Sequence, residues 1–471
     1  MTPLSNQAQD QWDTKQLWKQ YAQFKESKLE ERRFSHQQVL SLLGYWEKKG
    51  LPVETLGTSY EGREIKVITW GKGPVDVLMW TQMHGNEATA TRAVFDLLNY
   101  LDQSTGEIET LKTELKLHII PMLNPDGAQL FQRRTTQGID MNRDALALQC
   151  PESKILKDYR DRIDAEFAFN LHDQNIYYNV AGTSNPATIS FLAPAFNVNK
   201  EVNQVRQAAM QVIAVLNQGL QQIAPHHIGK YDDTFEPRAF GDNMQKWGSS
   251  TILIESGGYV NDPEKQQARA LNFVSLVIGL QCIAGKSYQQ VSIEDYWQIP
   301  DNHKNLHDLM VRNIKVNSQN TPYQMDLAIR RTELDHNGKA PLYYHGSFED
   351  TGDLSTQWGY EEFDAQGLDY AAPKVYPQTQ DNVQAAQELD LHKLLAQGYT
   401  AIRVAEVPTV GMVFPLDILG PQASPHWGLT PDEGASFIML REGVVVYAVI
   451  NGFLQQIESE TELVTQGRIF K

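Results

Sequence analysis

Three apolar runs in this chain each end in a side chain that can hold a metal ion or move a proton. "VDVLMWTQMH" leads to His84 and then Glu87, "EFAFNL" leads to His172, and "STILI" leads to Glu255. In open α/β sheets the ligand crevice lies outside the carboxyl ends of the strands, so three such ends converge on one place. Two imidazoles and a carboxylate make the three-ligand set of a catalytic zinc, with a fourth position left for water. Such a metal lowers the pKa of its water and polarises a carbonyl, and a further carboxylate is then needed as base; Glu255 is the candidate. The His-x-x-acid pair carries little by itself, because 12 His and 58 acidic residues make that spacing commonplace. Its bland alternative is a Glu87 that caps a helix beside a loop-satisfied His84. Weight comes from the strand-to-helix context and from the other two strand ends.

Between His84 and the strand "EFAFNL" lies "LNPDGAQLFQRRTTQGIDMNRDA". "NPDG" is expected to be a turn, with Pro125 presetting φ, Gly127 tolerating positive φ, and Asn124 and Asp126 bonding to nearby backbone. Arg133, Arg134 and Arg143 then concentrate positive charge in an otherwise acidic protein. A guanidinium grips a carboxylate through two parallel hydrogen bonds, so the cluster suits a substrate with an anionic end. The competing expectation is a solvated face, or salt bridges to Asp140 and Asp144.

These groups need a scaffold, and the alternating pattern supplies one. Residues 8–50 read as helical, with Ser35 as a cap and Gly50 as a stop. Beyond them "EIKVITW", "VDVLMWT", "LKLHIIPML", "EFAFNLH", "ISFLAP" and "TILIE" read as strands, alternating with helices at "ATRAVFDLLNYL", near 199–219 and near 262–284. The fold class implied is α/β, a mixed, mostly parallel sheet flanked by helices, with a second, β-rich domain after it. The expected divisions are a helical segment over 1–50 packed on a catalytic domain over 51–285, then a domain of unknown role over 286–471 with strands and turns such as "DHNGKAPLYYHG" and "REGVVVYAVING".

Composition bounds the partners. The 471 residues carry a formal charge of −17, which disfavours nucleic acid and anionic membrane. Two cysteines, Cys150 and Cys282, are too few for a disulfide framework and suit a reducing compartment. The N-terminus lacks the pattern of a secretory signal, so a cytoplasmic location is expected. The longest apolar run, "LNFVSLVIGLQCIAG", is interrupted by Asn272 and Gln281 and is expected to be a buried helix. Oligomeric state is not encoded in any recognisable pattern.

The ordered set "HGNE", "NPDG", "RRTTQGIDMNRD", "NLH" and "LIESGG" resembles the zinc carboxypeptidase family, the carboxypeptidase A-like metallopeptidases, over about residues 50–285. The resemblance implies a hydrolase that removes a C-terminal residue from a peptide. It implies that His84, Glu87 and His172 hold one Zn2+ per chain, and that Glu255 activates the water and later protonates the leaving amine. It further implies that Arg133 stabilises the oxyanion, with Asn142 and Arg143 gripping the terminal carboxylate. Adjacent Arg134 leaves that register open by one and can share the anion role. Tyr231, 24 residues before Glu255, stands for the tyrosine that caps bound substrate. Asn86 replaces the arginine that digestive members carry between the first two ligands, and the intervals between motifs are short. Both point to a divergent subfamily.

The remaining histidines rank lower. His118 lies inside a strand rather than at its end; the adjacent His226 and His227 would face opposite sides of a strand; and His303, His307, His336, His345, His392 and His426 show no ligand spacing. Arg238 could meet an acidic substrate side chain, although a salt bridge with Asp232, Asp233 or Asp242 is the commoner fate of such a residue. Two other functions stay open: a zinc amidohydrolase acting on an acyl amino acid or a cell-wall peptide, and a catalytically silent peptide-binding module. The partner expected is a peptide or small amide with a free carboxylate.

Overall fold

A computed structural model describes residues 13–317, 321–336, 339–408, 413–457 and 462–470. The side chain of His336 lies outside the described set. The chain forms two compact units, Met1–Lys304 and Asn305–Lys471.

The first unit begins with helices α1 (Thr14–Gln20) and α2 (His36–Lys48). Ser35 and Gln38 form a reciprocal capping box at the start of α2, which satisfies two backbone donors that the helix itself cannot. Strands β1 (Val53–Thr58), β2 (Glu64–Gly71) and β3 (Val75–Trp80) follow, then α3 (Thr89–Leu101), α4 (Gly106–Glu114), β4 (Leu115–Ile120) and α5 (Pro125–Gln129). After them come α6 (Pro151–Ile163), β5 (Phe167–Asp173), β6 (Asn179–Val180), β7 (Ile189–Leu192), α7 (Gln204–Leu220) and β8 (Ile228–Lys230). The unit closes with α8 (Phe240–Lys246), β9 (Ser250–Ser256), α9 (Gln266–Ala284), α10 (Ile293–Trp297) and β10 (Asn302–His303).

Eight of these strands make one mixed sheet in the order β1-β2-β4-β3-β5-β9-β7-β8. Its centre, β4-β3-β5-β9, is parallel, and those strands are almost continuously apolar because helices cover both faces. One face meets α3, α7 and α9 through Val77, Met79, Phe169 and Ile254. The other meets α6 and α8 through Leu78, Trp80, Ala168, Phe240 and Met244. Helix α9 has the length and hydropathy of a membrane-crossing helix, yet 83% of that window is buried inside the unit. Cys150 and Cys282 are buried and unpaired.

The boundary expected at 285/286 moves to 304/305. The physical reason is that residues 286–304 pack back on the first unit: Ser287–Gln290 and α10 lie against α7, and β10 pairs antiparallel with β6.

The second unit is β-rich. Leu306–Val316, Tyr323–His336 and Lys339–Gly352 form an antiparallel run within an eight-stranded sheet. A separate four-stranded parallel sheet joins Lys374–Gln380, Tyr399–Val404, Asp417–Leu419 and Ile469–Phe470, accompanied by short helices at Val383–Gln387 and Leu391–Ala396.

Candidate active site

Two turns interlock to build the site. Gly85 lies so close to α5 that a Cβ there would fall 2.0 Å from the carbonyl carbon of Gly127, so "HGNE" and "NPDG" require each other. Gln82 takes a positive φ of 44° and holds the turn by donating to the Gly85 carbonyl at 2.9 Å. "NPDG" is a short helix rather than the expected β-turn: Pro125 occupies its first turn, and Asn124 caps it by accepting from the Gly127 N–H at 2.9 Å. Gly127 is needed for closeness and not for positive φ, since a Cβ would meet Asn124 Nδ2 at 2.6 Å and the Arg134 carbonyl at 2.8 Å.

His84, Glu87 and His172 come together, with one potential ligand atom from each lying within 4.8 Å of the others. All three are buried. The Nδ1 atoms of His84 and His172 each lie 2.7 Å from a different Glu87 carboxylate oxygen. The Asp173 backbone N–H also donates to Glu87 at 3.2 Å. His84 turns its Nε2 to Asp140 Oδ1 at 3.0 Å, which fixes the ring and leaves Nδ1 facing the cluster. Burial pushes the His84 pKa down, but the Glu87 charge and the Asp140 hydrogen bond outweigh it and hold His84 above its ordinary value. His172, wholly buried, is pushed below its ordinary value despite Glu87. Burial opposes ionisation of Glu87, yet the two imidazoles hold it well below the usual carboxylate range.

The donor set fits zinc: two imidazole nitrogens and a carboxylate converge in a buried place, and one ring is locked by an outer carboxylate. Asp140 is the residue that sequence reading assigned no ligand-positioning role. Its only signal was its position inside "GIDMNRD", where it counted as a salt-bridge partner for arginine.

Glu255 faces the ligands from the neighbouring strand. It is the register partner of His172 on β5 and of Ser190 on β7, so His172, Glu255 and Ser190 form one row across the sheet. Its Oε2 is buried with no hydrogen-bond partner. Burial, then the charges of Glu87 and Asp173, raise its pKa well above the ordinary glutamate value.

The arginines separate. Arg133 donates from Nε to Asp140 at 3.1 Å and from Nη1 to Glu87 at 3.1 Å, which puts its half-exposed guanidinium against the ligand set. Arg134 points elsewhere and donates to the Gly138 carbonyl at 2.9 Å. Arg143 pairs with Glu236 at 3.2 Å rather than with Asp144, whose carboxylate accepts from the Gln149 and Cys150 N–H groups. Asn142 Oδ1 accepts from the Phe240 N–H at 2.9 Å and so ties this loop to α8. Tyr231 lies after β8, its hydroxyl 3.5 Å from that of Tyr178; burial and the nearby Glu255 charge raise its pKa.

Arg238 donates from Nε and Nη2 to the two carboxylate oxygens of Glu236, at 2.9 Å each, and not to Asp232, Asp233 or Asp242. His118 is buried between Asp76 and the Tyr159 hydroxyl, 2.7 Å from each. His227 donates to the Pro186 carbonyl at 2.9 Å. Among the described residues, His84, Glu87 and His172 form the one cluster of this kind able to hold a metal ion.

Known proteins resemble this chain over the segment that carries the candidate ligands. A sequence model of the zinc carboxypeptidase family matches residues 47–213, a range that contains the three candidate ligands and Arg133 and stops before Glu255. An uncharacterised protein of Zymomonas mobilis is 27% identical over 130 residues, 26% of this chain and 34% of that protein. Carboxypeptidase 2 of Trichophyton tonsurans is 28% identical over 97 residues, 20% of this chain and 18% of that enzyme. The chain thus spans about a third or less of the length of these relatives. A solved metallo-carboxypeptidase from Burkholderia cenocepacia aligns over 54% of this chain and 70% of its own, at 17% identity and a TM-score of 0.44. The segment that carries the candidate ligand set, residues 47–213, is thus similar to the zinc carboxypeptidase family.

Proposed function

We propose that the chain is a zinc-dependent metallocarboxypeptidase that hydrolyses the last peptide bond of a substrate with a free C-terminal carboxylate. The observation that carries this reading is the convergence of His84, Glu87 and His172, with Glu255 beside His172 in the sheet and its Oε2 buried and unpartnered. When bound, zinc supplies Lewis acidity and makes a water acidic enough to attack at neutral pH.

The chain's own residues do the rest. Glu255 Oε2 accepts a proton from the attacking water and hands it to the leaving amine, and its raised proton affinity suits a group that must hold that proton between the two steps. Arg133 donates from Nη1 to the carbonyl oxygen as negative charge develops, exchanging its contact with Glu87 for one with substrate. Arg143 swaps Glu236 for the terminal carboxylate, and Asn142, whose oxygen is engaged by Phe240, offers its amide nitrogen to the same anion. Tyr231 closes over the substrate from the β8 side.

The test is a matched pair of peptides, one with a free C-terminal carboxylate and one amidated. Release of the last residue from the free peptide, with at least about a hundredfold loss on amidation, supports the reading, because the amidated form leaves Arg143 without its partner. Equal cleavage of both would replace it with a general amidohydrolase.

A further inference from the structure

Helix α9 opens against three physical preferences at once. Lys265, the residue just before its first turn, takes a positive φ of 51°, which a residue with a Cβ adopts only at a cost. Its side chain is buried, so the ammonium is taken out of water. It also leaves from the end of the helix where the backbone dipole is already positive. The helix does not use Lys265 as a cap, because Asp262 accepts from the Gln266 and Gln267 N–H groups at 2.7 Å each. Nothing within α9 offsets these costs.

The offset lies in the sheet. Lys265 Nζ donates to the Ser256 carbonyl at 2.9 Å, to Asp173 Oδ2 at 3.2 Å and to the Gln174 carbonyl at 3.3 Å, so its three donors meet three oxygens. Asp173 and Ser256 are register partners one step beyond His172 and Glu255, and the Gln174 N–H closes the ladder on the same Ser256 carbonyl at 3.1 Å. Asp173 leaves the sheet on the face opposite His172, so the ammonium braces the row from behind. Asp173 Oδ2 also accepts from the hydroxyl of Thr89, the first residue of α3, at 2.7 Å. The Asp173 N–H reaches Glu87 itself at 3.2 Å. One buried ammonium therefore joins the three segments that carry His172, Glu255 and Glu87.

Resting on the carboxypeptidase reading above, we propose that Lys265 is a positioning residue for the hydrolysis: it holds the ends of β5 and β9 together so that Glu255 stays aligned with the candidate ligands. Its influence reaches Glu255 through Ser256 and His172 through Asp173, each one residue away. Without the ammonium, Asp173 keeps only the Thr89 hydroxyl on Oδ2, and its Oδ1 is already buried and unpartnered. A carboxylate left in that state turns toward water, and it takes the end of β5 and the contact with Glu87 with it.

The experiment compares the wild type with Lys265→Met, Lys265→Arg and Ile283→Ala, the last a control that opens a cavity at the far end of the same helix. All are zinc-loaded and assayed on a peptide well below their melting temperatures. Lys265→Met should lower kcat by about 10- to 100-fold, with KM within about twofold of wild type and zinc still bound. Lys265→Arg, which keeps a buried cationic donor, should recover most of that loss, whereas Ile283→Ala should lose stability and keep its kcat. Should Lys265→Met fail to fold, Lys265→Gln, which keeps two donors and no charge, replaces it under the same criteria. An unchanged kcat in Lys265→Met, or an equal loss in Ile283→Ala, would overturn the proposal, because the ammonium would then serve stability alone. If the wild type cleaves no peptide, the carboxypeptidase reading fails separately, and the visible absorption of the Co2+-loaded proteins decides. A band shifted in Lys265→Met, restored in Lys265→Arg and unmoved in Ile283→Ala upholds the positioning role; the same spectrum in all four refutes it.

Discussion

His172 and Glu255 are direct register partners on the adjacent parallel strands β5 and β9. Neighbouring strands lie about 4.8 Å apart, so the two side chains leave the same face at nearly the spacing that separates a metal ligand from a base acting across one water. Neither strand can slip by one residue without sending its side chain into the helical layer on the other face.

Replacing the base should separate binding from turnover. Glu255→Gln keeps the shape and removes the proton acceptor, so kcat should fall by about 10²- to 10⁴-fold while zinc content stays the same. Steady-state kinetics with metal analysis on the same sample checks both halves.

The outer carboxylate makes a different prediction. Asp140→Asn removes the charge that holds His84 Nε2 at 3.0 Å and also a partner of Arg133, so zinc affinity should weaken by about 10- to 100-fold. Competition with a chelator of known affinity measures it. An unchanged affinity would mean that packing alone orients His84.

Zinc binding should release protons. In the metal-free protein Glu87 and Asp140 hold the His84 pKa above its ordinary value, and that proton must leave before Nδ1 can bind a metal. Affinity should therefore fall as pH drops through the His84 titration, and calorimetry in buffers of different ionisation enthalpy should register the released protons. At a thousandfold excess over Kd, zinc should add about 4 kcal/mol to unfolding stability.

Asp242 gives a pH prediction away from the metal. Burial pushes its pKa from 3.8 up to about 7. Because the folded value is the higher one, the proton-bound fold is favoured: the contribution is fully present below about pH 4 and is lost as pH rises through about 7. Asp242→Asn keeps the acceptor for the Glu236 N–H and removes the titration. The variant should match the wild type near pH 4 and exceed it at pH 8 by up to roughly 4 kcal/mol. Denaturant melts at the two pH values test this.

How much of this was legible in the sequence follows from what each signal encodes. His84, Glu87, His172 and Glu255 stood out because apolar strands mark their own ends, and in a parallel sheet the carboxyl ends share one side. The roof of the site was less legible. Arg133 and Arg134 are neighbours of the same type, and only the loop's path sends one to Glu87 and the other to Gly138. Gly127 looked like a turn residue because glycine serves both positive φ and close approach, and a sequence does not say which. Glu236 was invisible as the clamp on Arg143 and Arg238, since pairing across a loop has no fixed spacing. The domain boundary was placed too early because the long apolar helix ending at Ala284 read as the close of the α/β layer, whereas residues 286–304 dock back on it through α10 and β10.

The central claim is tested most directly by metal stoichiometry and peptide hydrolysis measured together on zinc-loaded, metal-free and His172→Ala protein. The account predicts one zinc per chain, release of a C-terminal residue only when that zinc is present, and loss of both in His172→Ala. Equal hydrolysis by the metal-free protein, or undiminished zinc binding by His172→Ala, would contradict it.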